Sequence, residues 1–379
     1  MIDDNELIYQ LALSKVKGIG FNNWKNIIEI VKSAENVYKL NKKELSSLIK
    51  NEDFINEILT KSTLNESEDI FENHKNKVTI LSYFDDNYPL KLKEIPNPPC
   101  FLYLKGTNIL NNKRTLGVIG TRNPTNYGID NVKYFLTDLC GYNITTVSGL
   151  AYGIDINAHR ESLKNNIPTI AVLGSALNRI YPKEHLKDFN EIIEKGGCII
   201  SEYELDTNIE GYKFAARNRI IAGLSDGVLV VEAGVKSGTE ITAYCANEFN
   251  REVFAIPGSI YSDKSIGCNN LIKNNIAHLV VNYEDIVNSL NWNKINNNSN
   301  INNSNINNSN NNNILEILNV LGEDYMNIYS FIKEKKICIL DEIIEEFYTI
   351  PESKISTILL KLEMKNIIKQ LPNNHYSTN

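Results

Sequence analysis

The chain has 379 residues, 42% of them hydrophobic, and 39 lysines and arginines against 46 aspartates and glutamates give a net charge of −7. That length predicts two or three domains with real cores. The charge is spread evenly, 14 basic against 16 acidic residues over 1–110, 17 against 20 over 111–290 and 8 against 10 over 291–379, which excludes a protein coated in basic surface for duplex DNA but leaves room for a local basic cleft.

No run of about 18 apolar residues is present, and the acidic start MIDDNELIYQ lacks a signal-peptide core. The expectation is a soluble, cytoplasmic protein with no membrane contact. Six scattered cysteines form no Cys-x-x-Cys and no Cys/His cluster, so buried free thiols are expected rather than a structural metal.

Residues 1–80 read as an N-terminal helical domain. Within LALSKVKGIGFNNWKNIIEI, Val16-x-Gly18-Ile19-Gly20 stands between two amphipathic stretches, the pattern of a helix-hairpin-helix or SAM-like fold or of a plain helical hairpin. Residues 81–110 hold three of the ten prolines within positions 96–99 and read as an extended connector.

Over 111–292, short β-branched runs alternate with helical stretches, which predicts a Rossmann-like parallel sheet covered on both faces. Four strands end at Gly120, Gly149, Gly174 and Gly258, and a fifth runs through Glu232-Ala233-Gly234. In such sheets ligands sit outside the carboxyl ends of the strands, so these tips are expected to line one cleft. Residues 293–313, with 14 asparagines in 21 positions, read as a flexible linker. Residues 314–379 read as a winged helix: ILDEIIEEF, a turn at Thr349-Ile350-Pro351, a helix bearing Lys354, Lys361 and Lys365, and a wing turn at Pro372-Asn373-Asn374. That module suits either DNA contact or a protein partner, and its acidic first helix favours the partner.

Three segments converge on the strand tips. In Gly120-Thr121-Arg122 the glycine permits a tight turn and the guanidinium can fork onto a phosphate. The stretch Gly211-Tyr212-Lys213-Phe214-Ala215-Ala216-Arg217-Asn218-Arg219 combines charge, a helix start and a ring for stacking. Because residues two apart on a helix point different ways, at most one of Arg217 and Arg219 is expected to face a ligand. Ser237-Gly238-Thr239 opens the next helix with small residues, the usual anion cradle.

No nucleophile or base stands out. His159, in GIDINAHRE, reads as a packing residue, and Glu202, Glu232 and Glu240 stand near strand ends without an evident partner. There is no G-x-S-x-G, H-E-x-x-H or Asp-rich cluster, so neither a catalytic set nor a metal is expected.

The strings TLGVIGTRNPTNYG, TTVSGLAYGIDINAHR, TIAVLGSALNRIYPKEH, FAARNRIIAGLSDGVLVVEAGVKSGTEITA, REVFAIPGSI and GCNNLIKNN follow one another in the order seen in the DprA/Smf (DNA-processing protein A) family, which the chain resembles over roughly residues 80–290. The resemblance implies an extended Rossmann-like domain that binds single-stranded DNA, forms a homodimer and loads the RecA recombinase during natural transformation (competence). It implies no enzymatic activity and no cofactor. Carried over, the family's DNA pocket falls on Arg122, Lys213, Phe214, Arg217, Asn218 and Arg219. Ser237, Gly238, Thr239 and Asn269 stand nearby, and Gly120, Thr121 and Gly149 form the phosphate turns. The family usually has Phe-Pro before Arg-Asn-Arg, whereas Phe214 is followed here by Ala215-Ala216.

The main rival is a Rossmann nucleotide-binding enzyme or sensor akin to nucleoside monophosphate hydrolases, whose P-G-G-x-G-T-x-x-E signature falls at Gly234–Thr239. Val235-Lys236 replaces the glycine pair there, and Thr242 stands at the position of the glutamate. A transcription regulator built on the winged helix is the remaining alternative.

Overall fold

A computed structural model describes residues 2–235, 237–294, 318, 321–335, 337–365, 367–371 and 375–378. The N-terminal amphipathic stretches form helices α1 (Asp4–Ser14), α2 (Phe21–Val31), α3 (Ala34–Val37), α4 (Lys42–Leu48), α5 (Glu52–Thr60) and α6 (Ser62–His74). Their buried apolar residues join one core, in which Trp24 is fully buried and donates its indole N–H to Gln10 O at 3.0 Å. Truncating it to Ala would cost about 3–5 kcal/mol. Between α1 and α2, Gly18 takes φ +86°. The neighbouring Lys17 N–H donates to Glu57 Oε2 at 2.9 Å, so a carboxylate of the same chain holds one of the donors that a hairpin turn would offer a phosphate.

The strands are β1 (Thr79–Ser82), β2 (Phe101–Gly106), β3 (Thr115–Ile119), β4 (Thr145–Ser148), β5 (Thr169–Leu173), β6 (Cys198–Ser201), β7 (Gly227–Val230), β8 (Glu252–Ala255) and β9 (His278–Leu279). They form one sheet in the order β1-β2-β6-β5-β4-β3-β7-β8-β9. β3 to β9 run parallel as expected. Within the expected extended connector, FLYLKG follows the three prolines and forms strand β2, antiparallel to β6 with Tyr103 level with Ser201 and paired with β1 on its other edge. A four-residue helix, α7 (Leu90–Lys93), precedes the prolines.

The crossover helices are α8 (Asn126–Leu139), α9 (Ile154–Lys164), α10 (Leu186–Glu194), α11 (Gly211–Leu224), α12 (Gly238–Glu248), α13 (Ile266–Lys273) and α14 (Tyr283–Ser289). Alternate strand residues feed two cores, as the period of two in a covered sheet requires. Leu116, Val118, Leu229 and Val231 pack with α8 and α14. Ile119, Val228 and Val230 join the larger core that also holds the buried residues of α1 to α6.

Residues 1–296 are one compact unit, so the expected boundaries near 80 and 110 do not divide the packing. Polar ties reinforce this: Ser82 Oγ donates to Gln10 Oε1 at 2.5 Å, and Leu205 N–H donates to His74 Nε2 at 2.8 Å.

Residues 297–379 are a second unit. Its elements are α15 (Glu323–Lys335), β10 (Ile337–Ile339), α16 (Leu340–Glu346), α17 (Glu352–Met364), β11 (Ile368–Leu371) and β12 (His375–Thr378). The strands form an antiparallel sheet, β10-β12-β11, over a core of its own around Ile328, Ile343, Ile358 and Leu362. Lys354 on α17 pairs with Asp324 at 2.6 Å, and Lys361 lies over the Tyr325 ring. Nearly all of the expected Asn-rich linker and the expected wing turn at 372–374 lie outside the described residues.

Candidate nucleic-acid interface

Sequence order in the sheet reverses between β3 and β7, which lie side by side with Ile119 level with Val230. Such a reversal leaves a crevice at the carboxyl ends of the strands. The turn after β3 is clamped from β7. Thr121 N–H donates to Glu232 O at 2.8 Å, and Thr125 N–H and Oγ1 reach the two Glu232 carboxylate oxygens at 2.9 and 2.6 Å. Glu232 is therefore a structural clamp. Gly120 is demanded by close approach, since a Cβ there would lie 2.5 Å from Ile154 Cγ1 and 3.0 Å from Glu232 O. Gly153, at φ +80°, packs so tightly under Thr121 and Arg122 that any side chain would displace the turn. Arg122 stands on this braced turn, exposed, with no hydrogen bond or ion pair among the described residues.

The floor is built differently. Arg217 is buried, and its Nη1 donates to Gly149 O at 2.6 Å and also to Val172 O. Its Nε donates to Asn218 Oδ1 at 3.2 Å. Asp155 grips the same glycine from the other side, accepting from Gly149 N–H at 3.2 Å. Burial lowers the Arg217 pKa to about 10 despite the Asp155 charge that opposes it, with the nearby Arg122 lowering it further. Burial likewise raises the Asp155 pKa, against the pull of Arg217 and of the Gly149 N–H. A side chain at Gly149 would collide with both groups.

Phe214, in the first turn of α11, is half-buried. It seats over Gly174, where a Cβ would meet its ring at 2.8 Å, and its ring centroid lies 5.3 Å from that of Tyr181. Asn218 Nδ2 donates to Gly238 O at 3.0 Å, tying α11 to the start of α12. Glu240 caps that start, accepting from Ser237 N–H at 3.2 Å.

The resulting open cleft of about 390 Å³ is lined by Gly120, Thr121, Arg122, Phe214, Arg217 and Asn218, with Ser237, Gly238 and Thr239 closing the far side. The partial positive end of α12 points there. Two arginines less Asp155 leave one positive charge among its described lining residues, and Lys236 lies outside them.

Four expected site residues stand elsewhere. Lys213 is buried, donating to Asn208 O at 2.8 Å, pairing with Glu210 at 3.1 Å and lying over the Tyr203 and Tyr212 rings. Arg219 turns away to pair with Glu202 at 2.5 Å, as the helical spacing of two from Arg217 requires. Asn269 grips both backbone groups of Gly258, at 3.2 and 3.0 Å. Gly149 lies beneath the Arg217 guanidinium rather than at the cleft surface. The sequence reading missed Asp155, which lines the cleft. Its one signal was its place in GIDINAHRE, six residues past a strand-end glycine. His159, from the same string, is fully buried with Nδ1 2.7 Å from Thr169 Oγ1, and burial lowers its pKa to about 3.

Among the described residues no group of three or more His, Cys, Asp or Glu could hold a metal, and no helix is long and apolar enough to cross a membrane.

Known proteins are similar to this chain. Protein Smf of Synechocystis is 38% identical over 298 residues, covering 76% of this chain and 73% of the relative. The crystal structure of DNA processing protein A from Streptococcus pneumoniae superposes with a TM-score of 0.63 at 33% identity, covering 76% of this chain and 98% of that one. A DNA processing protein A structure from Helicobacter pylori, described for its single-stranded DNA binding mode, aligns with a TM-score of 0.52 at 31% identity, covering 57% of this chain and 98% of that one. The model of the family described as DNA recombination-mediator protein A matches residues 79–291, the connector and the whole nine-stranded sheet, and the chain belongs to that family.

Proposed function

We propose that this protein binds single-stranded DNA in the β3/β7 cleft and acts as a recombination mediator, protecting incoming strands and loading RecA recombinase onto them in natural transformation. The observation that carries the reading is Arg122: a cation without a partner among the described residues, on a braced turn, lining the same cleft as the Phe214 ring. Phosphate neutralisation plus base stacking is the combination that holds single strands without sequence readout, with stacking contributing about 1–3 kcal/mol per base. The H. pylori relative's single-strand binding supports it.

In this reading the protein is cytoplasmic, carries no catalytic set, works as a homodimer and uses avidity between two clefts on one strand. The six N-terminal helices serve as a helix-hairpin-helix or SAM-like module. The second unit serves as a winged helix for protein partners, consistent with the engagement of Lys354 by Asp324. A nucleotide-cleaving alternative has one feature in its favour, the buried carboxyl of Asp155 in the cleft. Against it, Glu202, Glu232 and Glu240 are committed to Arg219, the Arg122 turn and the α12 cap.

Fluorescence anisotropy with labelled oligothymidylate, a matched duplex and a mononucleotide competitor tests the reading. Tight binding of the single strand alone is expected, retained after deletion of residues 293–379. Release of free base from a mononucleotide, or competition by millimolar mononucleotide, would overturn it. Loading of RecA onto coated strands tests the mediator step.

A further inference from the structure

The loop 202–210 joins β6 to α11 and delivers the chain to Gly211, which lines the cleft. Part of that loop is tied to the N-terminal helices. His74, the last residue of α6, is buried; its Nε2 accepts the Leu205 N–H at 2.8 Å, and its Nδ1 stands 2.5 Å from Ile70 O. An amide N–H can only donate and a carbonyl can only accept, so the ring is neutral and carries its proton on Nδ1. Burial lowers the His74 pKa, against the Ile70 carbonyl and the Glu204 charge that raise it. One residue before Leu205, Glu204 pairs with Lys15, the residue that ends α1, at 3.1 Å.

From these ties the loop runs straight to the site. Thr207 N–H donates to Glu204 O at 3.2 Å, and Asp206 takes φ +66° with its N–H held by Asn178 Oδ1 at 2.9 Å. A non-glycine backbone persists in that left-handed region only where its surroundings fix it. Asn208 O and the Glu210 carboxylate then hold the Lys213 ammonium at 2.8 and 3.1 Å. Phe214, the ring in the cleft, is the next residue.

Resting on the reading of the cleft as a single-strand site, we propose that His74 is a positioning residue for that site. As a neutral acceptor on α6 it fixes the 202–210 loop, and through Lys213 the loop fixes Phe214 at the cleft wall. The N-terminal helices thus set the pose of the stacking ring from behind it.

The test is anisotropy of the full chain with oligothymidylate across a salt series, for wild type, His74→Leu, His74→Gln, Lys15→Gln and Arg122→Ala, with amide hydrogen exchange of the free proteins. His74→Leu leaves the Leu205 N–H buried and unpaired, so a smaller fraction of molecules holds the binding pose and affinity should fall roughly three- to tenfold. Its slope of log affinity against log salt should match wild type, because no phosphate contact is lost. Exchange at the Thr207 and Lys213 amides should quicken. His74→Gln, which can place an acceptor where Nε2 stands, should restore most of the affinity. Lys15→Gln, a milder change at the same end of the loop, should weaken binding roughly twofold.

Wild-type affinity and exchange for both His74→Leu and Lys15→Gln, with Arg122→Ala still weakened, would overturn the positioning role and leave the cleft reading standing. Equal weakening by His74→Leu and His74→Gln, with exchange unchanged at Thr207 and Lys213, would make His74 a packing residue of α6 and also overturn it. Quickened exchange in His74→Leu, with no loss of affinity in that variant or in Arg122→Ala, would remove the reading of the cleft on which the role rests.

Discussion

The floor and the rim of the β3/β7 cleft each carry an arginine, and the two are in opposite states. Arg217, on the floor, is surrounded by carbonyls, faces Asp155 across Gly149 and is buried. Arg122, on the rim, has no protein partner among the described residues and is exposed. A cation in a cleft attracts a polyanion only to the extent that its own protein has not already satisfied it. Of these two, the floor charge therefore shapes the cleft, and the rim charge is available to a ligand.

The sharpest way to break this contrast is Arg217→Ala. It strips two carbonyl acceptors of their donor and leaves Asp155 a buried carboxyl without its counter-charge, so unfolding free energy should fall by about 3–5 kcal/mol. Denaturant unfolding measures it, and a change below about 0.5 kcal/mol would mean the floor is not structural. Arg122→Ala should do the reverse. Single-strand affinity should drop by about 1–3 kcal/mol, while stability stays within about 0.5 kcal/mol of wild type.

Acid sharpens the same contrast. The His159 pKa is depressed from its usual 6.5 to about 3 by burial, so the unfolded chain takes up a proton before the folded one does. Its contribution to stability is fully present above pH 6.5 and is lost as pH falls toward about 3, at up to about 1.4 kcal/mol per pH unit. Asp155, whose pKa is raised from 3.8, holds its proton longer in the folded state and acts in the opposite sense at the low end of that window. Urea unfolding across a pH series reads the slope, and a flat profile between pH 6.5 and 5 would contradict the buried neutral histidine. The smallest effect belongs to Arg219→Gln. Breaking a partly exposed pair with Glu202 should cost about 1 kcal/mol or less and leave DNA affinity unchanged, whereas a loss of affinity would put Arg219 back on the cleft side.

The sequence made the sheet legible because β-branched runs closed by glycines have a local physical signature, and the positions of Arg122, Phe214 and Ser237-Gly238-Thr239 followed from the rule that ligands sit at strand ends. It did not reveal which charges were already spent. Lys213 looks as available as Arg122 in the one-dimensional string, and helical spacing leaves open which of Arg217 and Arg219 turns away. Only the distances to Glu210 and Glu202 remove Lys213 and Arg219. Asp155 escaped notice for the converse reason, because a lone aspartate on a helix carries no motif until Gly149 and Arg217 are brought to it. Strand β2 was hidden by the prolines just before it.

The most direct test of the account is the salt dependence of oligothymidylate binding by wild type and Arg122→Ala. If Arg122 is an uncompensated cation of the cleft, the variant binds more weakly and its slope of log affinity against log salt is shallower by about 0.7. Identical affinity and slope for the two proteins would show that the strand meets no phosphate contact there, and the cleft would lose its claim to be the interface.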